Sequence, residues 1–199
     1  EVVLRALSSW GVREALPKFN GMFAFALWDS TQKRLWLARD RFGVKPLYWG
    51  YSGDGVLVFG SERKALEAAG VRERLAEVPA GSIMEFSGHG RSNVIWAEME
   101  TDWYNPSLAA TRPQVLSEEE AIREYLAMVE DAVRLRLRSD VPFAVTLSGG
   151  LDSSFLYQLV TKLTGEPPHA FTFSFPGWKG DELQYACKVV GRHRRHHVV

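Results

Sequence analysis

The sequence has a single cysteine, Cys187, in 199 residues. No disulfide framework can organise the chain, and a reducing compartment suits it. An excess of one charge is missing too: Lys+Arg and Asp+Glu both number 24. No overall field therefore draws the chain to nucleic acid or to an anionic membrane. Long apolar runs are absent; the longest, around Met22 to Trp28, suits a buried strand rather than a membrane span. Neither an initiator Met nor a signal peptide precedes Glu1, which suggests a start internal to a longer polypeptide. What is present, 46% hydrophobic and 24% charged residues, supplies a packed core and excludes disorder. The length admits one large domain or two small ones.

The pattern changes near the middle of the chain. From Phe19 to Trp96, short strands alternate with turn chemistry. Met22–Asp29 and Leu35–Arg39 flank Ser30-Thr31-Gln32-Lys33. Leu47–Tyr51 and Val56–Gly60 flank Ser52-Gly53-Asp54-Gly55, a strong hairpin signal. Ser82–Phe86 and Ser92–Trp96 flank Ser87-Gly88-His89-Gly90. Helices fit Val2–Ser9, ended by Gly11, and Glu62–Ala69, between Ser61 and Gly70. These elements predict a mostly antiparallel sheet with helices attached.

Trp103–Leu116, with Pro106 and Pro113 and little periodicity, has the character of a linker. A long helix follows from Ser117, with Glu120 placed to complete a capping box. Its apolar face is predicted at Ile122, Tyr125, Leu126, Val129, Val133 and Leu137. Asp140-Val141-Pro142 ends it. Phe143–Leu147 is apolar throughout, as for a parallel strand buried on both faces. A helix Ser153–Leu163 and a turn Gly165–Pro168 lead to a second such strand, Ala170–Phe175. Asp181, with Gln184, is placed to cap a last helix ending near Val190. Ligands bind at the carboxyl ends of strands in such units.

One segment concentrates the chemistry. In Leu147-Ser148-Gly149-Gly150-Leu151-Asp152-Ser153-Ser154 a buried strand meets a helix through a Ser-Gly-Gly turn. Free backbone N–H groups, flexible glycines and three hydroxyls converge where a helix dipole is positive, and such a point binds phosphate. No Lys follows the glycines, so neither the G-x-x-x-x-G-K-[ST] loop nor the G-x-G-x-x-G turn is present. The segment resembles the pyrophosphate-binding loop of the ATP pyrophosphatases.

Preceded by Ser139-Asp140-Val141-Pro142, the same segment is similar to the synthetase signature of the glutamine-hydrolysing asparagine synthetase family. Phe19–Asp29 (FNGMFAFALWD), Ala38–Tyr48 (ARDRFGVKPLY) and Ser61–Leu66 (SERKAL) resemble the later part of that family's glutaminase domain. The resemblance runs nearly end to end. It implies an α+β part followed by an α/β part. Residues 1–102 correspond to the C-terminal part of an N-terminal-nucleophile glutaminase sandwich. Residues 103–116 are then a linker, and 117–199 the start of an ATP-pyrophosphatase-type parallel sheet with flanking helices. The implied reaction is ATP-dependent conversion of aspartate to asparagine through an aspartyl-adenylate. Ammonia comes from glutamine; AMP and pyrophosphate are released. Small molecules (ATP, aspartate and glutamine) are the implied partners, without nucleic acid or membrane, in a cytoplasmic enzyme for which a homodimer is allowed. A β-lactam-synthetase-like relative without glutaminase activity, or a nucleotide-binding scaffold that has lost catalysis, are the alternatives.

By the resemblance, Ser148, Gly149, Gly150, Ser153 and Ser154 hold the β and γ phosphates, within an ATP-binding segment Leu147–Ser154 that includes Leu151. Asp152 either holds Mg²⁺ or caps the helix at Ser153. Leu147 and Phe175, at the ends of two parallel strands, present backbone to the adenosine; Phe175 equally suits a core strand position. Asp181 and Glu182 match an acidic pair near the nucleotide, and Asp181 suits helix capping as well. The family's nucleophile is an N-terminal cysteine, expected before residue 1. Cys187, inside a predicted helix, is not that group, so the chain as it stands is expected to carry no catalytic residue and no activity. Arg39, Asp40, Arg41 and Lys45 are expected in structural ion pairs. Arg192–His197 is expected as a solvated helix exit or an end buried in a larger protein.

Overall fold

The computed structural model describes residues 1–87, 96–105, 116–191 and 195–199. They fall in two compact units, 1–113 and 114–199.

In the first unit the chain reverses where the carboxylate of Asp29 accepts hydrogen bonds from the amides of Thr31 and Gln32, at 2.7 and 3.0 Å. That turn joins β1 (Ala24–Asp29) to β2 (Arg34–Arg39) as an antiparallel hairpin. With β6 (Ser82–Ser87) and β7 (Trp96–Asp102) they form a four-stranded sheet in the order β1-β2-β6-β7. β3 (Tyr48–Ser52), β4 (Leu57–Gly60) and β5 (Val71–Glu77) make a second antiparallel sheet, ordered β4-β3-β5. Leu35, Leu37, Met84 and Phe86 of the first sheet share one core with Leu47 and Val78 and with Trp49 and Leu57 of the second. The other face of the first sheet, through Trp36, Ala38 and Ile83, packs on Leu16 and Val12. Val12 opens the short helix α2 (Val12–Ala15), which comes after helix α1 (Val2–Trp10), and Leu16 follows it directly. β6 is therefore buried along its whole length.

Several details differ from the sequence pattern. β5 was not legible: its sequence Val71-Arg72-Glu73-Arg74-Leu75-Ala76-Glu77 is charged, it lies at a sheet edge, its pairing is irregular, and Arg74 has φ +52°. The partner of β6 is 96–102 rather than Ser92–Trp96; residues 88–95 of that expected hairpin lie outside the described residues. Helix α3 spans Arg63–Ala68. Trp103, expected at the head of a linker, packs in this unit: its indole donates to the Arg39 carbonyl at 3.0 Å and stacks on Phe23. Positions 106–115 of that linker lie outside the described residues.

Asp40 corrects the expectation of ion pairing. It is 1% exposed, and its carboxylate accepts from four backbone amides, those of Phe23, Phe42, Val44 and Lys45. Burial pushes this carboxyl up, and the amides outweigh burial to hold it below the usual carboxylate range. Arg39 does pair, with Glu77 at 2.7 Å, while also donating to the carbonyls of Gly43, Lys45 and Val78. Arg41 donates to the carbonyls of Pro17 and Phe19 and lies over the rings of Trp103 and Tyr104. The cluster is a brace for turns.

The second unit opens with helix α4 (Glu118–Arg136). Ser117 and Glu120 form the expected reciprocal capping box. None of its residues is buried; Ile122, Tyr125 and Leu126 of the predicted apolar face are exposed. A three-stranded parallel sheet follows, ordered β10-β9-β8, from β8 (Ala144–Thr146), β9 (His169–Thr172) and β10 (His196–Val198). β8–α5–β9 and β9–α6–β10 are successive strand–helix–strand units, with α5 at Leu151–Thr164 and α6 at Leu183–Val190. Leu147, Tyr157, Ala170, Ala186 and Val190 form the core. β8 is an edge strand whose Ala144 and Thr146 are exposed, so the expected burial on both faces is absent. Among the described residues, its one neighbouring strand is β9. β10 replaces the expected helix exit at Arg195–His197: His197 stacks on Phe171 and its Nε2 lies 2.8 Å from His169 Nδ1. Residues 192–194 lie outside the described residues.

Candidate functional site

Two loops leave the carboxyl ends of adjacent parallel strands, 147–150 from β8 and 173–182 from β9. The first is built by its own small residues. Ser148 and Ser153 place their hydroxyl oxygens 2.9 Å apart, and the Gly150 amide donates to Ser148 Oγ at 3.2 Å. Gly149 takes φ +82°, a conformation in which a side chain is strained. Its position lies hard against the start of α6, and a β-carbon there would overlap the backbone of Tyr185 and Ala186. Only glycine permits that approach.

Helix α5 begins at Leu151, with Gly150 as its backbone cap and no side chain capping it. The expected start at Ser153 is two residues late, and Asp152 is not the cap. Its carboxylate is exposed in the first turn and makes no hydrogen bond among the described residues. Without a capping side chain, the first-turn amides remain available to an anion, and the helix dipole favours one there. Ser154 carries a buried hydroxyl without a partner, as does Tyr157. For a divalent metal, no group of three His, Cys, Asp or Glu exists among the described residues. One free carboxylate plus phosphate oxygens is nevertheless the donor set that suits Mg²⁺, and Asp152 fits it.

Leu147 is buried, and both its backbone groups are engaged. Its amide donates to the Phe171 carbonyl at 2.8 Å, and its carbonyl accepts from Thr172 Oγ1 at 2.6 Å. Thr172, itself 2% exposed, also meets His196 Nε2 at 2.8 Å, and sequence reasoning missed it. Its only sequence signal was a hydroxyl amid aromatic strand residues.

Phe175 does not end a strand, because β9 stops at Thr172. It lies in the second loop, 60% exposed, with its amide donating to Asp181 Oδ2 at 3.1 Å. The same oxygen accepts from Ser174 Oγ at 2.8 Å, and Oδ1 accepts from the Leu183 amide at 2.9 Å. Asp181 thus closes the loop onto the start of α6, although Glu182 is the backbone cap and no capping box with Gln184 forms. The Leu183 amide, the Ser174 hydroxyl and the Phe175 amide together hold its carboxyl below the usual range.

Between the two loops lies a cleft of about 240 Å³, lined on one side by Ser148 and Ser153 and on the other by Phe173, Phe175 and Trp178, with Glu182. A groove of about 760 Å³ between α4, β8 and α5 is larger, but it is mostly apolar. The smaller cleft combines hydroxyls and aromatic rings, and it gathers Leu147, Ser148, Ser153, Phe175 and Glu182 of the expected residues, whereas Asp152 lines the larger groove. Leu151 is 86% exposed and does not line the cleft.

The chain matches two family models: "Glutamine amidotransferase domain" over residues 1–102 and "Asparagine synthase" over residues 124–199. It is 40% identical to asparagine synthetase B (glutamine-hydrolyzing) of Escherichia coli across 81% of this chain and 27% of that protein. Asparagine synthetase (glutamine-hydrolyzing) of Zea mays is 36% identical across 83% of the chain and 26% of its own length. Asparagine synthetase (glutamine-hydrolyzing) 1 of Bacillus subtilis is 33% identical, across 81% and 27% respectively. The chain spans between 25% and 42% of the length of the curated relatives it matches.

Proposed function

Because the chain belongs to the glutamine-hydrolysing asparagine synthetase family, we propose that its protein makes asparagine from aspartate, with ATP and glutamine-derived ammonia. Residues 1–102, with Trp103 and Tyr104 packed onto them, are assigned to an N-terminal-nucleophile glutaminase sandwich, the remainder of 103–116 to a linker, and 117–199 to an ATP-pyrophosphatase-type synthetase domain. Helices and antiparallel sheets in the first unit, and parallel strand–helix–strand units in the second, support that division.

A carboxylate does not react with ammonia until its oxygen becomes part of a good leaving group. Attack of the aspartate carboxylate on the α-phosphorus forms an aspartyl-adenylate and breaks the bond to pyrophosphate; ammonia then displaces AMP. The synthetase turn stabilises the charge that develops on the departing pyrophosphate. Ser148, Ser153 and Ser154 supply hydroxyls to the β and γ phosphates, and Gly149 and Gly150 let the first-turn amides of α5 approach. Asp152 would hold Mg²⁺, which when bound neutralises phosphate charge. Phe175 contributes to the nucleoside side of the cleft.

The observation that carries the reading is the uncapped start of the 14-residue helix α5, next to the paired hydroxyls of Ser148 and Ser153. The test is exchange of labelled pyrophosphate into ATP by the full-length protein. Exchange that requires aspartate is expected. Exchange that is absent, or indifferent to aspartate, would end the assignment.

A further inference from the structure

The cleft between the two loops is lined by two chemically different sets of side chains: the hydroxyls of Ser148 and Ser153 from the first loop and the start of α5, and the rings of Phe175 and Trp178 from the second loop. A ligand that satisfies both has a polyanionic head and a flat, largely apolar group at its other end. A nucleoside triphosphate has that form; inorganic pyrophosphate and tripolyphosphate lack the flat part.

Trp178 is held in place yet left uncovered. Its amide donates to the Phe175 carbonyl at 3.0 Å, and its carbonyl accepts from the Asp181 amide at 3.1 Å. The benzenoid half of the indole rests against Gly180 so closely that a β-carbon there would lie 2.6 Å from the ring. Phe175 meets it edge-on, with ring centroids 6.1 Å apart. The side chain is nevertheless 63% exposed. A tryptophan serving only as core would be buried. One that is already oriented by its neighbours loses little freedom when a flat ligand covers it.

We propose that Trp178 stacks on the nucleobase of the nucleotide whose phosphates the Ser148–Ser154 turn holds, and that Gly180 is small so that the indole can take that position. The proposal rests on reading the turn as a triphosphate site. Glu182, on the same cleft, would repel phosphate and so belongs at the nucleoside end, where it can accept from base or ribose donors. The inferred contact makes the cleft selective for a nucleoside triphosphate over a bare polyphosphate.

The test compares two probes, Mg-ATP and Mg-tripolyphosphate, by calorimetric titration of the full-length protein and its variants. Trp178→Ala is expected to weaken ATP binding about ten-fold, the order of one lost base–aromatic stack, and to leave tripolyphosphate binding unchanged. Trp178→Phe restores most of the loss. Gly180→Ala, whose β-carbon displaces the ring rather than backbone, gives an intermediate and equally ATP-selective loss. ATP affinity unaltered by Trp178→Ala would overturn the proposal. Equal loss for both probes would do the same, because it would make Trp178 a prop for the loop. Ser148→Ala tests the underlying reading separately, with both probes weakened together if the turn holds phosphate. An unaltered protein that binds neither probe would overturn both.

Discussion

Gly149 and Tyr185 approach so closely that a β-carbon on Gly149 would lie 2.5 Å from that of Tyr185. The turn after β8 is therefore seated on the start of α6, and the second loop of the cleft leads into the same helix. Gly150 differs: its φ is −70°, and a β-carbon there would meet only Ser148 Oγ, at 3.4 Å. Gly149→Ala is expected to cost about 2 kcal/mol or more, through left-handed strain and overlap with backbone. Gly150→Ala is expected to cost less than about 1 kcal/mol. Urea midpoints of the two variants decide the matter. Similar values for both would mean that the seat on α6 yields easily.

Asp152 makes no cap, so Asp152→Asn should leave stability within about 0.5 kcal/mol of the native protein. A metal role makes a second, opposite demand on catalysis. Aspartate-dependent pyrophosphate exchange by the full-length variant is then expected to fall by about ten-fold or more, even at saturating Mg²⁺. Exchange at the native rate would remove Asp152 from metal binding.

The carboxylate of Asp40 accepts four backbone amides in a buried position. Asp40→Asn turns an acceptor-only group into one that presents its own N–H donors to amides, at an expected cost of about 2–3 kcal/mol near neutral pH. The folded carboxyl lies below its ordinary value of 3.8. Its stabilisation is therefore fully present above that value and is lost as pH falls through the lower, folded value. Native and Asn forms, compared by denaturant unfolding, should converge in stability as pH drops below 3.8. A gap that stays constant into strong acid would contradict the ionised assignment.

Cys187 lies mid-helix in α6 and is exposed. A glutaminase nucleophile that uses its own α-amine as base must stand at a chain terminus. In the full-length protein, Cys187→Ala is expected to leave glutamate release from glutamine unchanged. Loss of that release in the variant would place the thiol in the chemistry after all.

Chemistry that acts over a few residues is legible in the order of amino acids. The Asp29–Arg34 turn, the capping box of Ser117 and Glu120, and the Ser-Gly-Gly turn between a strand and a helix depend on near neighbours along the chain. The same is true of the residues that carry the family resemblance. What escapes such a reading depends on distant partners. β5 is a strand because β3 offers it hydrogen bonds, although its sequence is charged. His196 and His197 join a sheet because β9 has a free edge and Phe171 offers a ring. Asp40 gathers amides from the turn that follows it and from Phe23, which precedes β1, so its sequence neighbours Arg39 and Arg41 suggest ion pairs that it does not make.

The candidate site divides in the same way. Residue order is enough to establish that small and hydroxyl residues follow a strand and open a helix, because backbone freedom and helix-terminal charge are local properties. Long-range packing was needed to start α5 uncapped at Leu151, to bring Phe175 off the strand and into the hold of Asp181, and to set Trp178 and Ser148 on one cleft. Those outcomes depend on where two parallel strands stop and on which loops their packing brings together. A linear pattern of residue types does not specify that distance.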